Sequence, residues 1–131
     1  MKMFSFFTSE KSEWHELTSD LGRVLTEEHW NSGILLIFSP HTTGSILLNE
    51  NCDPDVQRDF LLKMNEVFAD DPRFRHIEGN SDAHIKTSLT GASACIPVEN
   101  GKLMLGTWQG VFFCEWDGPR NRKVFLQFVG S

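Results

Sequence analysis

Three histidines, His41, His76 and His84, are the side chains in this sequence best suited to proton transfer. His41 opens the polar run His41-Thr42-Thr43-Gly44, which separates two very apolar stretches. Burying such groups costs about 1–3 kcal/mol for each one without a partner, so they are either paired within the fold or serve a ligand. We therefore expect His41 and His84, supported by the Glu50 carboxylate, to act in catalysis. The alternatives are a core histidine bonded to a backbone carbonyl for His41, and surface positions for the other two.

The same histidines could also bind a metal ion, since neutral imidazoles together with a carboxylate suit zinc. A catalytic zinc site uses three protein ligands and leaves one position open. Positions 41, 76 and 84 match no short metal motif such as HxH, HxxxH or HExxH. Three distant segments must therefore converge for His41, His76 and His84 to hold a divalent ion, whether zinc or Mg²⁺, as a cofactor.

Cationic side chains near the end of the chain predict an anion site. Arg120 follows the turn Asp117-Gly118-Pro119, which holds the backbone tightly and so positions the guanidinium. A guanidinium presents planar donors that match phosphate oxygens. We expect Lys86 to lie beside Arg120, and Arg122 to be solvated. In a chain of net charge −6, such a positive cluster would be a local exception that suits an anionic ligand.

The pair Trp108-Gln109 lies between two glycines, Gly106 and Gly110. Glycine is costly inside a strand, so its presence indicates a bulge or a close approach by another group. An indole face beside an amide would suit a flat heteroaromatic ligand. The alternative is a core tryptophan and a surface amide.

Hydrophobic patterning predicts many short strands. They are expected over Met1–Thr8, Ser12–Leu17, Ile34–Ser39, Ser45–Asn49, Ser93–Val98, Leu103–Gly106, Val111–Trp116 and Lys123–Val129. The first two are expected to pair as a hairpin, and the third to be covered on both faces. Asn100-Gly101 is typical of a type I′ turn.

Helical spacing and capping residues predict three helices. They are expected over Asp20–Trp30, from Pro54 to before Asp70, and over Ala83–Thr90. Asp53 should cap the second helix, with Pro54 in its first turn. The apolar stripe of that helix is expected to be core and comprises Val56, Phe60, Leu61, Met64, Val67 and Phe68. Arg73–Gly79 could be strand or loop.

Length and composition bound the class of protein. At 131 residues, with 40% hydrophobic residues and eleven phenylalanines, the chain is expected to fold as a single domain over residues 1–131. Its acidic balance argues against nucleic-acid or anionic-membrane partners. The three cysteines, Cys52, Cys95 and Cys114, are expected to be buried free thiols in a reducing cytoplasm.

The segments Ser39–Val56 and Asn80–Arg120, with the closing strand, resemble the YjbQ-type family, whose members are sometimes described as secondary thiamine-phosphate synthases. The motifs that carry this resemblance are His41-Thr42-Thr43, Asn49-Glu50-Asn51, Ala83–Gly91 (AHIKTSLTG), Gly106–Gly110 (GTWQG) and Glu115–Arg120 (EWDGPR). The resemblance implies a single-domain α+β fold, mostly antiparallel sheet or sandwich with two main helices and a short one, assembled as a homotrimer. Motif residues would line clefts near the subunit boundaries, with ligand-binding roles for Thr43, Asn49, Lys86, Trp108, Gln109 and Arg120.

The same resemblance implies a transferase that joins a pyrimidine-methyl diphosphate to a thiazole phosphate. Departure of diphosphate needs cations on its oxygens, which Arg120, Lys86 and Mg²⁺ would supply. Trp108 would stack on the benzylic-type cation that develops at the pyrimidine-methyl carbon. Two alternatives stay open: a zinc-dependent hydrolase of a small phosphorylated or acylated compound, and a non-catalytic trimer that binds a small anion.

Overall fold

The computed structural model describes all of residues 1–131. In chain order the elements are β1 Lys2–Phe7, β2 Glu13–Glu16, α1 Thr18–Glu27, β3 Gly33–Phe38, β4 Gly44–Glu50, α2 Pro54–Val67, α3 Ser81–Thr90, β5 Ser93–Glu99, β6 Lys102–Leu103, β7 Gln109–Glu115 and β8 Asn121–Gly130. None of the three helices has the length and apolar character needed to span a membrane.

The strands form two antiparallel sheets, one with the order β1-β8-β3-β5-β6 and one with the order β2-β7-β4. The main core lies between these sheets and α1. It comprises Phe6, Leu17, Leu21, Val24, Leu25, Leu35, Ile37, Ile46, Ile96, Val98, Val111, Phe113, Val124 and Leu126. The predicted mixed fold of antiparallel sheets with three helices is confirmed.

A second apolar layer covers the other face of the three-stranded sheet. There Trp14, Phe112 and Trp116 pack with Ala83 of α3 and with partly buried side chains of α2, namely Phe60, Leu61 and Met64. No residue of α2 is fully buried, and Val56 and Val67 are exposed. The prediction that the whole stripe of α2 belongs to the core was therefore wrong for its two ends.

The predicted hairpin between the first two strands was also wrong. β1 pairs with β8, whereas β2 pairs with β7 in the other sheet. The connection between β1 and β2 is bonded to the turn that joins β7 to β8: Thr8 N–H donates to the Arg120 carbonyl at 2.9 Å, and Gly118 N–H donates to the Lys11 carbonyl at 3.0 Å. Because this connection wraps around that turn, its two strands enter different sheets.

The outer face of the five-stranded sheet is uncovered in the single chain. Ile34 and Phe38 of β3 are exposed and Leu36 is half-buried, because α2 and α3 both pack on the other sheet. β3 was expected to be covered on both faces, and the chain itself covers only the inner one. Met3 and Val129 extend the same outer face.

Several local signals gave correct elements. Asp53 caps α2 through a 2.9 Å bond from Asp55 N–H, and Asn100 and Gly101 both have the positive φ of a type I′ turn. Neither α1 nor α3 has a side-chain cap, because polar side chains near their starts bond elsewhere. The Thr18 hydroxyl accepts from Val111 N–H at 2.9 Å, and the Asn80 amide bonds to Asp117.

The structure decides one open alternative and corrects two smaller predictions. Of the two alternatives for Arg73–Gly79, strand or loop, the structure has turns and loop. β6 spans two residues, far fewer than the predicted strand over Leu103–Gly106. Only Cys114 is a buried thiol, with a pKa raised by burial, whereas Cys52 and Cys95 are exposed.

Candidate anion-binding site

Three segments of the chain meet at one polar cavity: the turn between β3 and β4, the loop before α3 with the first turn of that helix, and the turn before β8 with the start of that strand. We call it the arginine cavity. It has a volume of about 310 Å³, contains no hydrophobic side chain in its lining, and is lined by Thr42, Thr43, His76, Glu78, Asn80, His84, Arg120 and Arg122. Gly44 lets the β3–β4 turn lie directly on the core, since a Cβ there would be 2.1 Å from Cζ of Phe113.

Arg122 lies at the base of this cavity and is almost entirely buried. Its Nε donates to Oε1 of Glu115 at 2.8 Å and its Nη2 bonds to Oε2 of the same carboxylate. Nη2 also donates to the hydroxyl of Thr43 at 2.8 Å. Nη1 has no protein partner. The expectation of a solvated Arg122 was wrong, and the period-two pattern shows why, because Arg122 shares the inward face of β8 with Val124 and Leu126.

Glu115 is fully buried and holds Arg122 in place. Burial alone would raise the pKa of this carboxyl, but hydrogen bonds from Arg122, Thr8 and the backbone of Asp117 outweigh it, so the pKa lies below its ordinary value. The carboxylate is thus ionised at neutral pH and fixes the guanidinium against the cavity.

Arg120 is held by a different carboxylate. Its Nε donates to the Asp117 carbonyl at 2.7 Å and its Nη2 to Oδ2 of Asp117 at 2.9 Å, which leaves Nη1 without a protein partner. Oδ2 of Asp117 also accepts from Nδ2 of Asn80 at 2.8 Å. Burial raises the pKa of Asp117, but the hydrogen bonds from Asn80 and Arg120 outweigh this effect, so the pKa lies below its ordinary value. Asp117 therefore connects the start of α3 to Arg120.

His76 and His84 line the arginine cavity, and His41 lines a cavity that adjoins it. The rings of His76 and His84 meet edge to face, with centroids 5.4 Å apart. His84 also borders a second cavity of about 450 Å³, which we call the His41 cavity and which is lined by His41, Thr42, His84, Thr87, Ser88, Gly91 and Ala92. No group of three or more His, Cys, Asp or Glu side chains lies close enough together to hold a metal ion. The chain alone thus supplies fewer than the three ligands of a catalytic zinc site.

The His41 side chain contacts the backbone of β8, beyond the point where β3 stops pairing with that strand. Its Nε2 lies 3.0 Å from Lys123 N and 3.1 Å from Lys123 O, two residues beyond the last β3–β8 pair, Phe38 with Phe125. One ring nitrogen can serve only one of these groups at a time. Burial and the nearby Arg122 cation lower the pKa of His41, so it is neutral at pH 7. Through its Nε2, His41 is therefore bonded to the backbone, as the structural alternative for this residue predicted.

Lys86 is not part of the arginine cavity. It is buried, with Nζ 2.7 Å from Oδ1 of Asn65 and 3.4 Å from Oδ2 of Asp82, and it lies 5.5 Å from the centroid of the Trp116 ring. Residues two positions apart in a helix differ by about 200° around its axis, so Lys86 and His84 face opposite sides of α3. The second cation beside Arg120 is Arg122.

Four other predicted residues lie at the far end of the three-stranded sheet. Glu50 pairs with Gln109, whereas Gly44, beside the arginine cavity, pairs with Glu115. These pairs are six residue positions apart along the strand, which is about 20 Å at roughly 3.3 Å per residue. Oε2 of Glu50 accepts from Cys52 N–H at 3.1 Å, and Oδ1 of Asn49 accepts from Glu50 N–H at 2.7 Å. Asn49, Glu50, Trp108 and Gln109 therefore form a separate group within one chain.

The glycines around Trp108 serve close packing, as the sequence predicted. A Cβ on Gly110 would lie 2.7 Å from Cγ of Asn51, and Gly106 N–H donates to Oε1 of Gln109 at 2.8 Å. Asn51 N–H also donates to the Trp108 carbonyl at 2.7 Å. These bonds fix a loop on which the Trp108 side chain is 62% exposed. The group that approaches Gly110 closely is the side chain of Asn51. Trp108 is exposed, so the alternative of a core tryptophan was wrong.

Comparison with known proteins assigns the chain to a family. Residues 2–131 match the family described as UPF0047 protein YjbQ-like. The chain belongs to the YjbQ/UPF0047 family. Among YjbQ/UPF0047 relatives, the UPF0047 protein YugU of Bacillus subtilis is 44% identical over 99% of both chains. The UPF0047 protein MJ1081 of Methanocaldococcus jannaschii is 42% identical over 95% of this chain and 90% of its own.

Solved structures of the YjbQ/UPF0047 family have the same fold. A crystal structure of an uncharacterised YjbQ/UPF0047 protein from Clostridium acetobutylicum superposes with a TM-score of 0.94 at 46% identity, covering 98% of this chain and all of the other. The conserved hypothetical protein TT1486 from Thermus thermophilus gives a TM-score of 0.92 at 35% identity, with 98% of this chain and 100% of the other covered. The resemblance read from the motifs is confirmed at the level of family and fold.

Proposed function

We propose that this protein binds a small phosphorylated compound in the arginine cavity, in the cytoplasm. The observation that carries this proposal is the pair of guanidinium groups of Arg120 and Arg122. Each is held by its own carboxylate, each lines the cavity, and each keeps Nη1 free of protein partners. Guanidinium donors fixed in this way bind phosphate oxygens with little loss of side-chain entropy.

The position of α3 supports the same proposal. This helix begins at Ser81, and its N-cap residue Asn80 lines the arginine cavity without capping the first turn. The N–H groups of Ser81 and Asp82 have no protein acceptor. A helix N-terminus carries partial positive charge, which adds to that of the two arginines and favours an anion.

The reaction we propose, from the family resemblance, is transfer of a pyrimidine-methyl group. The carbon–oxygen bond to diphosphate breaks with its electron pair leaving on diphosphate, and the thiazole nitrogen lone pair forms the new carbon–nitrogen bond. Arg120 and Arg122 would stabilise the charge that develops on the leaving oxygens. Glu78 is the only carboxylate lining the cavity, and it would share a Mg²⁺ ion with the substrate phosphates.

We propose that the protein acts as a homotrimer, with the cleft completed by a neighbouring copy. Monomeric proteins rarely expose large contiguous apolar faces, yet the outer face of the five-stranded sheet exposes Met3, Phe7, Ile34, Phe38 and Val129. Ile77, next to His76, is fully exposed as well. A second copy over these surfaces could bring the Glu50 and Trp108 end of its sheet toward the arginine cavity, which one chain alone does not do.

A metal-dependent hydrolase is the second candidate. The 5.4 Å separation of the His76 and His84 rings favours it, since two imidazoles are already neighbours. A third ligand would have to come from the neighbouring copy. Metal analysis of the purified protein tests this candidate: about one zinc per chain, lost in His84→Ala, supports it, and protein free of zinc after growth with added zinc rules it out.

The binding proposal is tested by thermal unfolding with phosphate and diphosphate. Both anions should raise the melting temperature of the wild-type protein, by mass action on the folded state. Arg120→Ala should remove most of that rise, whereas the control Arg23→Ala, an exposed arginine on α1, should retain it. An equal rise in Arg120→Ala and wild type would contradict the proposal. Stabilisation without turnover on any pyrimidine-methyl diphosphate or phosphate ester would favour the non-catalytic anion-binding protein.

A further inference from the structure

The arginine cavity and the His41 cavity adjoin each other but differ in charge. They share two lining residues, Thr42 and His84. Both arginines border the first cavity, whereas no Arg, Lys, Asp or Glu side chain borders the second. A single ligand that occupies both finds counter-charges only at the arginine end, so a ligand charged at that end and uncharged at the other matches the two cavities best.

The wall of the His41 cavity contains a hydroxyl group with no partner. Thr87 lies on α3 one turn after His84 and is more than nine-tenths buried, and its Oγ1 forms no hydrogen bond. The neighbouring Ser88 hydroxyl is already used, since it donates to the His84 carbonyl at 3.0 Å. An unpaired buried hydroxyl is costly, and a polar ligand group beside Thr87 would remove that cost.

Neutral His41 adds a second polar group to the same wall. Its Nε2 is occupied by the backbone of Lys123, so Nδ1 is the ring nitrogen left for a ligand. Depending on the tautomer, Nδ1 can donate or accept a hydrogen bond, and a hydroxyl group can match either role. The His41 cavity thus offers uncharged hydrogen-bonding groups rather than an apolar slot.

We propose that the two cavities form one bipartite site for a small phosphate monoester, with the phosphate in the arginine cavity and a short, uncharged, hydroxyl-bearing organic part in the His41 cavity. This inference rests on the phosphate binding proposed above, because it assumes that the arginine cavity binds phosphate, and it is independent of the proposed pyrimidine-methyl transfer. It adds the class of ligand: the organic part is polar, carries no charge of its own, and reaches Thr87 past His84.

The test compares three probes by calorimetric titration: inorganic phosphate, glycerol 3-phosphate and n-propyl phosphate. The two esters have the same three-carbon chain and differ in two hydroxyl groups. Glycerol 3-phosphate should bind the wild-type protein about tenfold more tightly than n-propyl phosphate, the gain expected from about one well-placed hydrogen bond. Thr87→Val, which keeps the shape of the side chain, should remove that preference and leave the affinity for inorganic phosphate unchanged.

A second variant tests the same site by filling it. Ala92→Leu should weaken both esters and spare inorganic phosphate, since Ala92 borders only the His41 cavity. Equal affinity of all three probes for the wild type, or a preference for n-propyl phosphate, would overturn the bipartite site and leave the proposed phosphate binding standing. Failure of all three probes to bind would overturn the proposed function, and this inference with it.

Discussion

Glu115 and Arg122 form a buried ion pair beside the arginine cavity, with the carboxylate fully buried and the arginine side chain only 4% exposed. The pair also bonds to Thr8, directly after β1, and to Thr43 in the β3–β4 turn. Four segments of the chain thus depend on one carboxylate. A buried charge that loses its partner is strongly destabilising, so this pair sets both the stability of the cleft and the orientation of Arg122.

Glu115→Ala should lower the free energy of unfolding by about 3–5 kcal/mol, since it leaves Arg122 buried without a counter-charge. Urea unfolding measures the change. The exposed pair Lys63 and Glu66 on α2 provides the control, because Glu66→Ala should change stability by no more than about 1 kcal/mol. Similar losses in the two variants would show that the buried pair is no more important than a surface pair.

Gly44→Ala should destabilise the protein by about 1–3 kcal/mol, because the added methyl group overlaps the fully buried Phe113 ring. Gly22→Ala is the matched control within α1. No atom lies within 4 Å of a Cβ at Gly22, so this substitution should stabilise the helix by about 0.5–1 kcal/mol. Opposite shifts in melting temperature are expected, and a neutral Gly44→Ala would refute the close contact with Phe113.

Acid should destabilise the protein partly through His41. Burial and Arg122 lower its pKa in the folded chain, so below about pH 6.5 the unfolded chain binds more protons and the free energy of unfolding falls with falling pH. His41→Gln removes this titration and keeps a polar group beside Lys123. Between about pH 7.5 and 5.5, the melting temperature should therefore fall less in His41→Gln than in the wild type. His76→Gln serves as the control, and parallel curves for wild type and His41→Gln would contradict the prediction.

Phe38→Glu should break the proposed trimer. It places a charge in the centre of the exposed apolar face, where Phe38 stacks on Phe125 with ring centroids 6.4 Å apart. Light scattering should give about three times 15.0 kDa for the wild type and a smaller mass for Phe38→Glu. Leu62→Glu, an equally drastic change at an exposed position of α2, should leave the mass unaltered. A wild-type protein of single-chain mass would rule the assembly out.

Signals that act over a few residues predicted their elements well from sequence. Asp53-Pro54 started α2, and Asn100-Gly101 formed its turn. Strand partners could not be predicted in this way. Alternation in β1 and β2 defines which side chains face the core. It does not indicate which strands they pair with, so the crossing of residues 8–12 from one sheet to the other could not be predicted.

The candidate site was predictable where motifs ended strands or began helices. His41, Thr43, His84 and Arg120 do line adjoining cavities, and His76 joins them. Periodicity could have excluded Lys86 from the predicted anion site, because it faces away from His84 on α3. It could also have included Arg122, because Arg122 lies on the inward face of β8. The separation of Glu50 from His41 could not be predicted, because it depends on the direction and length of β4 in the folded chain.

The loose attachment of α2 has a consequence for how the molecule opens. None of its residues is fully buried, and it covers Trp14 and Trp116 through three half-buried side chains. A helix held by so little apolar contact can detach while both sheets stay intact, in a sub-global fluctuation of the native state. Water would then reach two otherwise buried indoles. Intrinsic fluorescence would therefore report a first, partial step of denaturation before the two sheets unfold.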